Sequence, residues 1–434
     1  MQQGLTIRQV LALYIPLALS WLLMAMEGPT AVSVVSRAAD SKVHLAAFMV
    51  LMAVSLFIES PVIDLLTTST RLIQNRSQYR PVRSFAIGMM IWCTVIHALA
   101  TVTPAYFVWT SWLHLDKQVV EVLRGPLIVM IPWSAAIGWR RWQQGLLIRA
   151  GTTRPVTVGT LMRLGVMLAA GFGLLNFSSL SGTMIAGIAL VASVTTEALY
   201  VTWAARYCYD NLPLSPDEGS PLSWQDIAKF HLPLTMSTTV ALATGTLLSG
   251  AISRAPDNVT QLAAWQVHTS VAWLFRTMTF ALPEVIITCV KTEKDARLLR
   301  QFCIWLGVSL SVVQLLVHLT GLDRVIFATV LEVKPEVLEP ARFALLLTAV
   351  IPLIAGALNY LRGRLALSQN TVARLVATVV STIALVLSLA YFGQSGFDGV
   401  VIASGALVLS MVVDMGVQLY YWKKSRRAAA IGIE

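Results

Sequence analysis

Charge is scarce in this chain. Asp, Glu, Lys and Arg together make up 12% of its 434 residues, against about 25% in an ordinary soluble domain. Five stretches, 85–115, 164–196, 230–253, 301–322 and 375–397, contain none of them. A bilayer crossing takes roughly 20 apolar residues, so each can cross once and 164–196 can cross twice. Cysteine is also sparse. Cys93, Cys208, Cys289 and Cys303 stand singly, without CxxC or Cys/His spacing, which argues against a disulfide framework or a metal site. No GxxxxGK[ST] loop occurs, so nothing points to an ATP-driven motor. No nucleophile stands beside a base, and no His/Asp/Glu set has ligand spacing, which leaves a membrane-embedded transferase unsupported and the chain a non-enzyme. A cleavable leader is not expected either, because the first apolar stretch runs straight into Glu27, Gly28 and Pro29.

What is there is apolar. Hydrophobic residues make up 56% of the chain and the mean hydropathy is +0.71. The formal net charge of +10 sits between apolar stretches and not on a solvated face, so a nucleic-acid partner is not expected. Breaking the chain at its charged or Gly/Pro-rich loops predicts twelve spans, near 8–35, 43–66, 84–112, 122–148, 156–176, 182–206, 226–253, 260–287, 299–320, 337–361, 371–392 and 398–422. One longer polar segment, 210–223, carries three prolines and falls at the midpoint. It divides the chain into an expected N-terminal lobe over 1–209 and a C-terminal lobe over 224–434.

The division is a repeat. A shift of 217 lays 36–50 (SRAADSKVHLAAFMV) on 253–267 (SRAPDNVTQLAAWQV) with eight of fifteen positions identical, where chance gives about one. The same shift pairs Pro16-Leu17 with Pro233-Leu234, Glu197 with Asp414 and Arg206 with Lys423. A shift of 220 pairs Ile131-Pro132 with Ile351-Pro352 and Arg154 with Arg374. Halves with an even number of spans enter the membrane in the same sense, so a pseudo-twofold axis along the membrane normal is expected to relate two six-helix lobes. Twenty Lys and Arg residues fall near span ends on one side and eight on the other, which places both termini in the cytoplasm.

Three stretches carry a family resemblance: MEGPTAVSVVSRAA at 26–39, FHLPLTMSTTVALATGTLLSGAISR at 230–254 and GWRRWQQGLLIRAGTTRPV at 138–156. With the two six-span halves, the chain resembles the multidrug/oligosaccharidyl-lipid/polysaccharide (MOP) exporter superfamily, most closely its progressive ankylosis branch, over nearly its whole length. The resemblance implies an all-α, MATE-like integral membrane fold, a plasma or inner membrane location and export by alternating access without ATP. For that branch it implies small anionic substrates. It also implies that Glu27 occupies the acidic position of the first helix. No cofactor is expected beyond a coupling ion, H+ or Na+. The expected partners are the lipid bilayer and a small-molecule or lipid substrate, and nothing requires more than a monomer.

A charge at the middle of a span costs on the order of 2.5–3.5 kcal/mol, so such residues face a cavity or a partner. Glu27 precedes Gly28-Pro29 and stands at an expected helix break, where transporters build ion sites; the alternative is a lobe-locking pair. Glu197 and Asp414, equivalent in the repeat, suit a structural ion pair within each lobe. Asp64 and Glu284, nearer the cytoplasmic ends, suit solvation or gating. Arg140 and Arg141 point about 100° apart on a helix, so one of them is expected to snorkel. Arg276 has no Lys or Arg between it and Arg254, and a guanidinium there suits a carboxylate or phosphate. Adding 217 to 59 gives 276, so Glu59 and Arg276 are expected on opposite walls of a cleft, able to pair until an anion competes. His268 and Asn359, with His97 and Gln266, are further lining candidates, although such a residue, a lone histidine above all, is more often a satisfied packing residue. The leading function is a secondary-active exporter of a small or amphiphilic anion. The alternatives are a flippase for a lipid-linked saccharide and a multidrug or cation exporter.

Overall fold

The computed structural model describes residues 5–152, 154–212, 222–367 and 371–431, apart from the side chains of 371 and 426–431. The expected linker therefore lies, over 213–221, outside the described residues, as do the side chains of Arg426 and Arg427. Among the described residues the regular structure is helical throughout. Ten helices are long and apolar enough to cross a membrane, or twelve if each of two bent pairs is one span. We number these α1 (Ile7–Arg37), α2 (Ser41–Leu72), α3 (Arg76–Thr101), α4 (Lys117–Val129 with Trp133–Arg149), α5 (Arg154–Phe177), α6 (Gly182–Asp210), α7 (Trp224–Ile252), α8 (Asn258–Cys289), α9 (Glu293–Leu319), α10 (Pro335–Leu347 with Ile351–Leu367), α11 (Val372–Phe392) and α12 (Gly399–Ser425). Every expected span has its helix. The third, drawn over 84–112, is in fact α3 plus a separate short helix, Thr103–Trp112.

Prolines set the irregularities. α4 and α10 each bend by 44°, at Pro132 and Pro352, whose missing N–H interrupts the helical ladder. α1 is interrupted at Met26. Pro29 cannot donate to the carbonyl of Ala25, four residues back, so the break falls one turn before the proline and delivers Glu27 into the first turn beyond it. Buried carbonyls left without a donor need another one. In α2 the Ser60 hydroxyl donates to Phe57 O at 2.8 Å, the carbonyl that Pro61 leaves open. In α8 Asn359 Nδ2 donates to Thr279 O at 3.0 Å, the carbonyl that Pro283 leaves open.

The described residues form two compact units, one made of residues up to Val32 together with Arg254 onward, the other of Ser33–Ser253. These are not the contiguous sequence halves expected at 1–209 and 224–434: the first helix of each repeat is exchanged. In the first unit Val10, Tyr14 and Ala18 of α1 share a core with Leu282, Val285 and Ile286 of α8 and with Leu299 and Cys303 of α9. In the second unit α7 packs along α2.

The physical reason is repeated chemistry at small and polar contacts, which drive helix association where lipid is as apolar as the protein. Gly28 lets α1 approach Ser270 of α8, where an added Cβ would be 3.5 Å away; 217 residues on, Gly245 lets α7 approach Ala53 of α2 at 3.6 Å. The Tyr14 hydroxyl donates to Met278 O at 3.0 Å, and His231 Nε2 donates to Pro61 O at 2.9 Å. Tyr14 meets Phe302 edge-on at 5.3 Å, and His231 meets Phe85 at 5.2 Å. In every pair the second contact is the first displaced by 217.

Contacts inside each half keep the same register. The His44 ring meets Thr183 Oγ1 at 3.1 Å, and Gln261 accepts from Val400 N at 3.1 Å. A Cβ on Gly145 of α4 would overlap Ser69 Oγ; one on Gly363 of α10 would stand 2.8 Å from Ile286 Cβ. Gly145 and Gly363 are 218 apart. Beyond the bend the structural register is thus 218, and not the 220 read from Ile131-Pro132 and Ile351-Pro352.

Candidate functional site

Each unit buries a charged cluster built on a carboxylate of the last helix of its sequence half, Glu197 of α6 or Asp414 of α12. In the Ser33–Ser253 unit this is Glu197 of α6, with no solvent exposure. Arg140 and Gln144 lie one turn apart on α4 and therefore share a face. Arg140 Nη1 donates to Glu197 Oε2 at 2.7 Å, and Gln144 Nε2 donates to Oε1 at 3.0 Å. Arg163 of α5 adds an ion pair at 3.5 Å. Neither Arg140 nor Arg141 snorkels to the surface. Arg140 is buried and Arg141 half-buried, and Arg140 is held inside by its ion pair with Glu197 at 2.7 Å.

Glu59 of α2 is 3% exposed and feels the guanidinium groups of Arg140, Arg141 and Arg163. Its Oε2 is buried without a hydrogen-bond partner among the described residues. Asp64 is half-buried at the break in α2, and its Oδ2 is likewise buried and unbonded.

In the other unit Asp414 of α12 takes the place of Glu197. Arg362 Nη2 donates to Asp414 Oδ2 at 3.0 Å and Gln418 Nε2 to Oδ1 at 2.8 Å. Arg362 stands where the register of 218 puts Gln144, so both halves reach the carboxylate from the same turn of their bent helix. Arg276 of α8, equivalent to Glu59, feels Arg362 and Asp414. Its guanidinium carbon sits 5.3 Å from the centre of the Trp273 ring. It forms no ion pair among the described residues, and its Nε is buried without a partner. A cation stacked on indole with unused in-plane donors can receive a planar or tetrahedral oxyanion.

The remaining candidates separate. Glu27 is buried beside the α1 break. Asn359 is committed to the Thr279 carbonyl and hydroxyl, each at 3.0 Å, so its amide donor is spent on backbone repair. His268 Nε2 meets Thr348 Oγ1 at 2.8 Å, and its ring lies against Trp265; this is a packed pair in the core of its unit. Glu284 is exposed in the first turn of Leu282–Cys289. His97 is fully buried. Sequence reasoning missed Gln144, Arg362 and Gln418 as carboxylate partners. The signal was present in the register of 218, which aligns Gln144 with Arg362.

No family model matches the chain, and no curated protein does. Solved structures do. An inward-facing multidrug resistance MATE family transporter of the MOP superfamily matches with a TM-score of 0.70 at 15% identity, over 94% of this chain and 99% of its own. The chain has the MATE transporter fold. The lipid II flippase MurJ, in an inward closed conformation, matches with a TM-score of 0.70 at 11% identity, over 94% of this chain and 87% of its own. A MOP superfamily transporter from Pyrococcus furiosus matches at 0.64 and 14% identity, over 98% and 99%. At these identities the fold is what is shared, and with it a multi-pass membrane architecture.

Proposed function

We propose that this protein is a secondary-active exporter of a small or amphiphilic anion, working by alternating access. The observation that carries the anionic reading is Arg276, a half-buried guanidinium in a spanning helix with no ion pair among the described residues and a buried, unbonded Nε. Arg362 beside it is paired with Asp414 at 3.0 Å, so one carboxylate serves two guanidinium groups there. Leaving such a donor set unused is costly in a spanning helix, and an arriving carboxylate or phosphate relieves that cost. The Pyrococcus furiosus transporter has a binding pocket whose reverse polarity suggests a different function for that protein.

Glu27, at the break in α1, is our choice for the residue that couples H+ or Na+ to transport. Glu59, whose Oε2 has no bonding partner among the described residues, is our second acidic site residue. A monomer in the cell membrane with both termini in the cytoplasm completes the reading. A flippase for a lipid-linked saccharide is the second reading, supported by the MurJ match; its phosphate would also suit Arg276.

The test is a thermal-shift screen of the purified protein against citrate, nucleotides, cationic drugs and lipid-linked precursors, since ligands of the native state raise its melting temperature. Calorimetry on Arg276→Ala follows. Citrate or nucleotide hits that weaken about tenfold or more in Arg276→Ala support the exporter reading. Lipid-linked hits alone move the assignment to flipping. Unchanged anion affinity in Arg276→Ala removes the anionic reading.

A further inference from the structure

A cavity of about 520 Å³ opens at the end of the Ser33–Ser253 unit that the arginine bias assigns to the cytoplasm, lined by Gln74, Arg149, Thr152, Tyr207, Cys208 and Asn211 together with apolar neighbours. None of Glu27, Glu59, Glu197 and Arg276 is among its lining residues. Its volume is that of small-ligand sites.

Its chemistry is one-sided. Arg149 forms part of the wall. Arg76 and Arg154 each follow a lining residue by two positions, and Arg206 adjoins Tyr207. Arg76 donates through Nη2 to the Asp210 carbonyl and stacks over the Tyr209 ring at 5.8 Å, which holds it next to Asn211. All four arginines are exposed. Among the described residues the only carboxylate at this rim is Asp210. Two long helices, α3 and α5, begin at Arg76 and Arg154, so their unpaired N–H groups add positive potential at the same end. Arg149 and Arg206 also suit the carbonyl ends of α4 and α6, but that role requires no cavity. The wall supplies neutral donors as well: Asn211 Nδ2 spends one hydrogen on Tyr207 O at 2.7 Å and keeps the other, and Thr152 carries a hydroxyl.

We propose that this cavity binds a phosphoryl group, with Arg149 as its principal ligand and Asn211 and Thr152 as neutral donors. A dianionic phosphate monoester uses the forked guanidinium geometry and several N–H and O–H donors at once, which a monovalent halide does not. The phosphoryl group has two sources, the headgroup of an anionic lipid or a phosphate compound in solution.

The experiment measures melting of the full chain in detergent at constant ionic strength. One arm titrates inorganic pyrophosphate and the other dihexanoyl phosphatidic acid, with sodium chloride and dihexanoyl phosphatidylcholine as references. We expect saturable stabilisation in at least one phosphate arm and none with the references. Stabilisation by the lipid alone identifies a headgroup site; stabilisation by pyrophosphate identifies a site open to soluble phosphates. Arg149→Gln should weaken the effect about tenfold, as expected for the loss of a charge-assisted contact. Arg83→Gln, which removes an exposed arginine away from the lining, should change it less than twofold. Arg149 is exposed, so its substitution leaves the core unaltered. No stabilisation in either arm overturns the proposal. So does an Arg149→Gln variant that binds as the parent does, or an Arg83→Gln variant that loses as much. An effect that survives Arg149→Gln but vanishes in Arg276→Ala assigns the phosphate to the transport site instead.

Discussion

His231 Nε2 donates to the carbonyl oxygen of Pro61 across 2.9 Å, and a carbonyl can only accept, so His231 carries its proton on Nε2. Nδ1 is then the acceptor for the Thr68 hydroxyl at 2.8 Å. In the other repeat a tyrosine, Tyr14, makes the equivalent bond to Met278. Two side chains with different heterocycle and phenol chemistry thus hold the exchanged helices by the same backbone position.

That equivalence gives the first prediction. His231→Phe keeps the ring and removes both hydrogen bonds, leaving a buried carbonyl unpaired, and should cost about 1–3 kcal/mol. His231→Tyr restores a donor of the kind Tyr14 supplies and should recover part of the loss. Denaturation of the purified variants orders them; equal stability of the Phe and Tyr variants would show that the bond to Pro61 contributes nothing.

Close packing gives the second. A Cβ on Gly145 would overlap Ser69 Oγ and lie 2.6 Å from Leu66 O, whereas one on Gly245 meets only Ala53 at ordinary contact distance. Gly145→Ala should destabilise by about 1–3 kcal/mol through overpacking. Gly245→Ala should be neutral or stabilising by up to about 1 kcal/mol from helix propensity. Melting temperatures of the two variants in one detergent decide; a neutral Gly145→Ala contradicts the packing.

The third concerns the carboxylates. Glu197 has no exposure and is paired to two arginines, so Glu197→Gln strands buried guanidinium charge, which typically costs about 3–5 kcal/mol. The Arg362 side chain that pairs with Asp414 is 28% exposed, and solvent can take over part of its solvation. Asp414→Asn should therefore be the milder change. Expression level and melting of the two variants test the order, and a more damaging Asp414→Asn reverses the argument.

The spans, their number and the repeat were legible because hydropathy and proline act locally. Pro132 and Pro352 mark their bends wherever the helices are packed. The partners of Glu197 were only half legible, since Arg140 stood out as a charge in a span while Gln144, a neutral residue four positions on, did not. The exchange of α1 and α7 was not legible at all. Chain order places α1 with α2 by default, and it takes three-dimensional contacts such as Gly28 on Ser270, Gly245 on Ala53 and Tyr14 on Met278 to reveal where each helix finds its neighbour. The partner of Asn359 was hidden for a related reason: Pro283 creates a need for its amide that hydropathy does not express.

The fourth prediction tests orientation. Arg80, Lys294 and Lys424 are exposed, and the arginine and lysine bias puts all three on the cytoplasmic side. Cysteines introduced singly at these positions should react with an impermeant maleimide only after the cytoplasmic face is opened to it. Labelling of any one of them in intact cells reverses the assigned topology.

The exchanged helix also sets a timetable for synthesis. The Tyr14 hydroxyl and its acceptor are separated by 264 residues, and ribosomes add roughly 5–20 residues per second. α1 therefore enters the membrane on the order of 10–50 seconds before the surface it docks on exists. During that interval the contacts of Tyr14 with Met278 and of Gly28 with Ser270 cannot form, and α2 still lacks the Gly245 face of α7. The unit that holds α1 therefore cannot be completed until the C-terminal half of the chain has been made.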